Sequence, residues 1–140
     1  MSRILAIDLG EQRIGLALSD PTGQIAGGIR TIRRSLRDEE MAALKTIIAT
    51  EEVERILVGM PLSMNGQPGV QAELTRRWVE VLRRHTDVPV EVLDERLTSV
   101  QAHRSLDSMG VKRKRHRQHV DAVAATLLLQ GYLDGQRKDV

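Results

Sequence analysis

A chain of 140 residues with 41% hydrophobic and 29% charged residues can bury a sizeable core and is too apolar to be disordered. Its net charge of only +2 means that the placement of charge, rather than its sum, must identify partners. The absence of Cys excludes disulfides and thiolate zinc sites, and one Trp, one Tyr and no Phe leave almost no platform for stacking bases. No apolar run approaches the ~18 residues of a membrane span, so no membrane role is expected. Met1-Ser2-Arg3 leads into a short strand-like run ended by Asp8, unlike a secretory signal, and the expected location is cytoplasmic. With no linker and no repeat, residues 1–140 are expected to form one domain.

Residues 3–9 read as a buried strand, Gly10-Glu11-Gln12 as a turn, and Arg13 to Ser19 as the hairpin partner, with Ile14, Leu16 and Leu18 on one side. Asp20-Pro21-Thr22-Gly23 is a second turn by composition, and residues 24–34 form a third strand weakened at Gly27-Gly28. The period then changes: Met41, Leu44, Ile47 and Ile48 mark a helix over about 37–52. Arg55 to Gly59 is a short apolar strand, and a Pro- and Gly-rich loop follows. Residues 70–85 form a second helix with Leu74, Trp78, Val81 and Leu82 as its stripe, and Pro89 opens a strand to about Glu95. Thr98-Ser99-Val100-Gln101 matches a capping box, which places a third helix over about 98–108. A basic loop over 109–118 leads into a final helix over about 118–134, with Val120, Ala124, Leu127 and Leu128 on one side. The order βββαβαβα predicts an α/β fold whose sheet mixes antiparallel and parallel strands.

Three acidic positions break this apolar pattern. Asp8 sits in Ile4-Leu5-Ala6-Ile7-Asp8-Leu9, Asp94-Glu95 ends a second strand, and Asp121 adjoins Val123-Ala124-Ala125. A buried unpaired carboxylate is costly, and a strand end opening into a site or a bound cation makes it tolerable. Strand ends of parallel α/β sheets are where ligands bind, and Asp121 falls in the first turn of the last helix, on a stripe with two small alanines. Clustered carboxylates ionise together only around a cation, and oxygen ligands without His or Cys suit Mg²⁺ or Mn²⁺. Two such ions serve phosphodiester hydrolysis. Taken singly, Asp8 would serve turn amides and Asp121 the helix dipole; taken together, the acids point to a metal site. Asp94 and Glu95 point to opposite faces of their strand, and spacing alone leaves open which of them joins.

The segment Asp8 to Asp20, DLGEQRIGLALSD, resembles the opening motif of the YqgF family, also called RuvX. Val58-Gly59-Met60-Pro61-Leu62 with Asn65-Gly66, Asp94 to Ser99, and Asp121 to Leu133 resemble its second, third and fourth motifs, in order. The resemblance implies an RNase H-like (RuvC-like) fold, with a mixed five-stranded sheet and helices on both faces. It also implies a metal-dependent nuclease, a hydrolase linked to ribosome biogenesis through maturation of the 5′ end of 16S ribosomal RNA. By position, the family's catalytic and metal-binding acids fall on Asp8, Glu95 and Asp121. Lysines often precede the last Asp in the family; here the stretch is Arg117-Gln118-His119-Val120, so no lysine role transfers.

Lys112, Arg113, Lys114, Arg115, His116 and Arg117 form a basic run ahead of Asp121, and their proximity to a phosphodiester site favours phosphate contact. Arg13, just past Asp8, is a further phosphate candidate, and Arg30, Arg33, Arg34, Arg76, Arg77, Arg83 and Arg84 are weaker ones. Trp78 and Tyr132 are expected in the core. The leading expectation is hydrolysis of structured RNA, with ribosomal precursor particles as partner. The alternatives are a Holliday junction resolvase acting on DNA, which would require a homodimer rather than a monomer, and a non-catalytic nucleic-acid-binding module.

Overall fold

In the computed structural model the described residues are 3–20, 26–61, 69–94 and 120–138, without the side chains of 26–29, 120–123 and 136–138. Five strands, β1 (Arg3–Leu9), β2 (Arg13–Ser19), β3 (Ala26–Arg33), β4 (Val53–Met60) and β5 (Val90–Asp94), form one sheet in the order β3-β2-β1-β4-β5. The hairpin pairs β1–β2 and β2–β3 are antiparallel, whereas β1–β4 and β4–β5 are parallel. Helices α1 (Arg37–Thr50) and α2 (Val70–His85) make the parallel crossovers, and α3 (Val120–Lys138) follows β5 in the described chain. The predicted helix over 98–108 and the basic loop lie outside the described residues. No helix among the described residues is long and apolar enough to cross a membrane.

Strand alternation gives the sheet two different faces. Leu5, Ile7, Ile14, Leu16 and Leu18 point to one side, where they pack with Met41 and Leu44 of α1 and Trp78, Val79 and Leu82 of α2. Ala6, Ala17 and Leu57 point to the other, under Ala125, Leu128, Leu129 and Leu133 of α3. The large residues thus face two helices, and the small ones let α3 come down close over β1, β2 and β3. Each fully buried Leu or Ile contributes roughly 1.5–3 kcal/mol relative to exposure, so both faces are strongly held.

Two elements depart from their sequence expectation. Leu74 is 50% exposed although it fits the helical stripe of α2, whose buried residues are Ala72, Thr75, Trp78, Val79 and Leu82. The helix is rotated so that its inward face centres on Trp78 and Leu82, leaving Leu74 at the margin. In β3, Ala17 pairs with Ile29 but Leu18 pairs with Gly27, so Gly28 is the extra residue of a bulge at the predicted weak point.

Candidate functional site

Asp8 is the one charged residue on β1's buried stretch, 8% exposed and one position from the strand's end. Its alternation with Ala6 puts it on the α3 face, where Gly15 of β2 is its Cα partner. On the other side Ile7 pairs with Val58, so the next residue of β4, Gly59, flanks Asp8. A carboxylate at the centre of the sheet therefore has no side chain beside it on either neighbouring strand.

The turn that follows is fastened from below. Gly10 N–H donates to the Arg13 carbonyl at 2.9 Å, closing the hairpin. Arg34 reaches under the turn, its Nη1 donating to the Gly10 carbonyl at 2.9 Å and its Nε to Glu40 at 2.7 Å. Glu40 is only 2% exposed and also accepts from Trp78 Nε1 at 3.2 Å and the Ser35 N–H at 3.2 Å. Glu40 lies in the acidic first turn of α1 beside Asp38 and Glu39, yet it turns inward and ties α1, α2 and the hairpin together. The only sequence sign is an isolated Trp, whose buried indole N–H requires an acceptor.

The direction of α3 follows from one contact. Arg55 Nη1 donates to the Tyr132 hydroxyl at 3.1 Å, and Arg55 is the Cα partner of Ile4. The late part of α3 thus lies over the start of β1, and Ala125 lies over the sheet's small-residue core. The helix rises about 16 Å from Tyr132 back to Asp121. Strand β1 advances about 13 Å from Ile4 to Asp8. The N-terminal turn of α3, which carries Asp121, is therefore directed toward the strand end that carries Asp8.

On β5, Val90 and Val92 belong to the α1/α2 core and Leu93 to the α3 core. Asp94 thus shares the parity of Val90 and Val92 and sits on the face opposite Asp8. Glu95, the Asp121 side chain and the cations Lys112, Arg113, Lys114, Arg115 and Arg117 lie outside the described residues. Among the described residues no three acids or imidazoles gather as a metal site.

The remaining arginines are sorted by their partners. Arg30 pairs with Glu51 at 3.1 Å, Arg34 with Glu40, Arg76 and Arg77 with Glu73 at 2.6 and 3.3 Å, and Arg83 with Glu80 at 3.2 Å. Most of the weaker phosphate candidates are thus engaged elsewhere. Arg13 is exposed and shares the α3 face with Gly15 and Ala17. It lines an open polar cleft with Glu11, Gln12, Thr31, Arg33 and Arg34.

This sheet order, with α1 and α2 on one face and α3 on the other, is that of the RNase H-like α/β proteins. Among solved structures, RuvC of T. thermophilus in complex with a Holliday junction substrate superposes with a TM-score of 0.62 at 12% identity, covering 98% of this chain and 96% of that one. The Fowlpox virus resolvase with Holliday junction DNA gives 0.57 at 10% identity, covering 96% and 98%. Residues 2–135 match the family model described as "RuvX: Holliday junction resolvase", and the chain belongs to that family. A Moorella thermoacetica protein named "Putative pre-16S rRNA nuclease" is 47% identical over 94% of each chain. A Clostridium acetobutylicum protein of the same name is 46% identical over 94% of this chain and 98% of its own.

Proposed function

We propose that the chain is a metal-dependent nuclease that hydrolyses phosphodiester bonds of structured RNA, processing the 5′ end of precursor 16S ribosomal RNA. The observation that carries this reading is Asp8. It is a buried carboxylate at the end of the central strand, flanked by Gly15 and Gly59, on the face toward which the first turn of α3 points. The substrate is that of the relatives' name, shared at 43–47% identity over nearly full length.

Asp8, Glu95 and Asp121 are the residues assigned to the centre, and they offer only carboxylate oxygens, the donor set of a hard divalent cation. The opposite parity of Asp94 supports the choice of Glu95. When bound, Mg²⁺ or Mn²⁺, most effectively as a pair of ions, supplies Lewis acidity and acidified water for in-line displacement at phosphorus. The chain's own residues do the positioning. Asp8 is held at a fixed height because the turn behind it is tied through Arg34 to Glu40. Arg13, on the same face, anchors a substrate phosphate, and the basic segment 112–117 extends the contact.

A second reading, a resolvase of four-way DNA junctions, is favoured by the description of the family itself. The two are separated by presenting both substrates with Mg²⁺ or Mn²⁺ to the wild type and to Asp8→Asn. Cutting of the RNA that Asp8→Asn abolishes supports the nuclease as proposed, whereas cutting confined to the junction replaces it by the resolvase.

A further inference from the structure

Arg13 and Arg33 are Cα partners across β2 and β3. The Arg34 N–H donates to the Gln12 carbonyl at 2.9 Å, the bond that brackets a non-hydrogen-bonded pair. Side chains at such a pair are the closest in an antiparallel ladder, with Cβ atoms about 4.5–5.5 Å apart. Two guanidinium groups thus leave the same face of adjacent strands at the shortest cross-strand spacing. Like charges placed directly opposite are destabilising. Neither arginine has an ion-pair partner among the described residues, although Arg30 and Arg34, on either side of Arg33, do.

The face and the position along the strands give this pair a direction. Arg13 and Arg33 share the parity of Gly15 and Thr31, which continue the row of Asp8 across the sheet. From Asp8, Arg33 lies two strands and two residues away, about 12 Å. Both arginines are exposed, and both line the cleft that also holds Thr31 and the hairpin-turn residues Glu11 and Gln12. The cleft's third arginine, Arg34, is committed to buried Glu40. Among the described residues, two uncommitted guanidiniums therefore stand against one carboxylate, Glu11, in a concave polar surface at the β2–β3 side of the hairpin turn that follows Asp8.

We propose that Arg33 and Arg13 together form a subsite for one backbone phosphate of the nucleic-acid strand, next to the phosphate presented at Asp8. The inference rests on the nuclease reading and adds a binding residue and a strand path, from Asp8 across β2 to the edge strand β3. A phosphodiester between the two side chains removes their repulsion, and planar guanidinium forks suit its oxygens. The site reads charge and not sequence, because phosphate contacts position a strand without specifying its bases.

The test is binding of a fluorescently labelled RNA oligonucleotide across a salt series, in the Asp8→Asn background so that nothing is cut. Arg33→Gln is compared with Lys45→Gln, which removes an equal charge from the exposed surface of α1, on the opposite face of the sheet. Arg33→Gln is expected to weaken binding about tenfold at low salt, the scale of one charge-assisted contact, and to flatten the slope of log Kd against log salt by about one. Arg33→Lys should keep most of the slope. The melting temperature of Arg33→Gln without RNA should equal or exceed that of its parent, because repulsion is relieved, so a loss of binding is not a loss of fold. Affinity and slope equal to those of Lys45→Gln overturn the subsite while leaving the nuclease reading intact. Failure of the parent to bind either RNA or a DNA junction overturns both.

Discussion

Asp8 and Glu40 are the two buried carboxylates among the described residues. Glu40 is satisfied within the protein, by Arg34, Trp78 and Ser35. Glu40→Ala should therefore destabilise by about 3 kcal/mol, the low end for breaking a buried pair, because Arg34 keeps 34% of its side chain exposed. Trp78 is the single Trp, so its fluorescence in a urea titration reports both the loss and its location. Asp8 behaves in the opposite way if it belongs to an acidic cluster. Asp8→Asn should leave the protein at least as stable without divalent metal and should abolish the rise in melting temperature that Mn²⁺ gives the wild type. Its cleavage rate should fall by a factor on the order of 10³ or more, since several kcal/mol of transition-state stabilisation are removed. A cleavage rate within tenfold of wild type would remove Asp8 from the catalytic centre.

At the scale of elements, α2 separates residues that pattern alone groups together. Leu82 is fully buried and Leu74 half-exposed, so Leu82→Ala should cost about 2–5 kcal/mol and Leu74→Ala less than about 0.5 kcal/mol, both read from urea midpoints. The outer surface of the same helix carries a pH-sensitive cluster. The hydrogen bond from Arg76 is the main cause that holds Glu73 down at about 2 rather than 4.5; the charge of Arg76 and the bond and charge of Arg77 add to it, and slight burial opposes it. Because the folded value is depressed, this support for α2 is present above pH 4.5 and is lost as pH falls toward 2. The group is solvent-exposed, so salt weakens the effect. A carboxyl titration by NMR should place the Glu73 midpoint well below 4.5 and move it upward in 1 M salt. An unshifted midpoint in low salt would show that the Arg76 contact does not persist in solution.

For the whole molecule, the strands, α1, α2 and the last helix were legible because each carries an apolar run or a 3.6-residue stripe bounded by Gly, Pro or acidic residues. The strand order was not, since the position of β4 beside β1 is set by a crossover and leaves no local mark. Leu74 was misassigned because it lies one helical turn from Trp78 and fits a stripe that the rotation of the helix then excludes. The oddity of Asp8 was visible from its apolar neighbours, and Gly15 is near it in sequence, but that Gly15 and Gly59 flank it on the two adjacent strands emerges only from the register of β2 and β4. Alternation could separate Asp94 from Glu95 without choosing between them, because the choice requires knowing which face α3 covers. The role of Glu40 was hidden in an acidic first turn that had a sufficient local reason to be acidic.

We propose that the Asp8 strand end is the catalytic centre of an RNA-cutting enzyme. Its most direct test is incubation of a precursor of small-subunit ribosomal RNA with the protein and Mn²⁺ or Mg²⁺, mapping the 5′ ends formed, with Asp8→Asn and a chelator as controls. The expected result is metal-dependent trimming toward the mature 5′ end that Asp8→Asn eliminates while retaining its fold. Trimming that survives in Asp8→Asn, or wild-type protein that leaves the RNA intact while cutting a DNA junction, would contradict it.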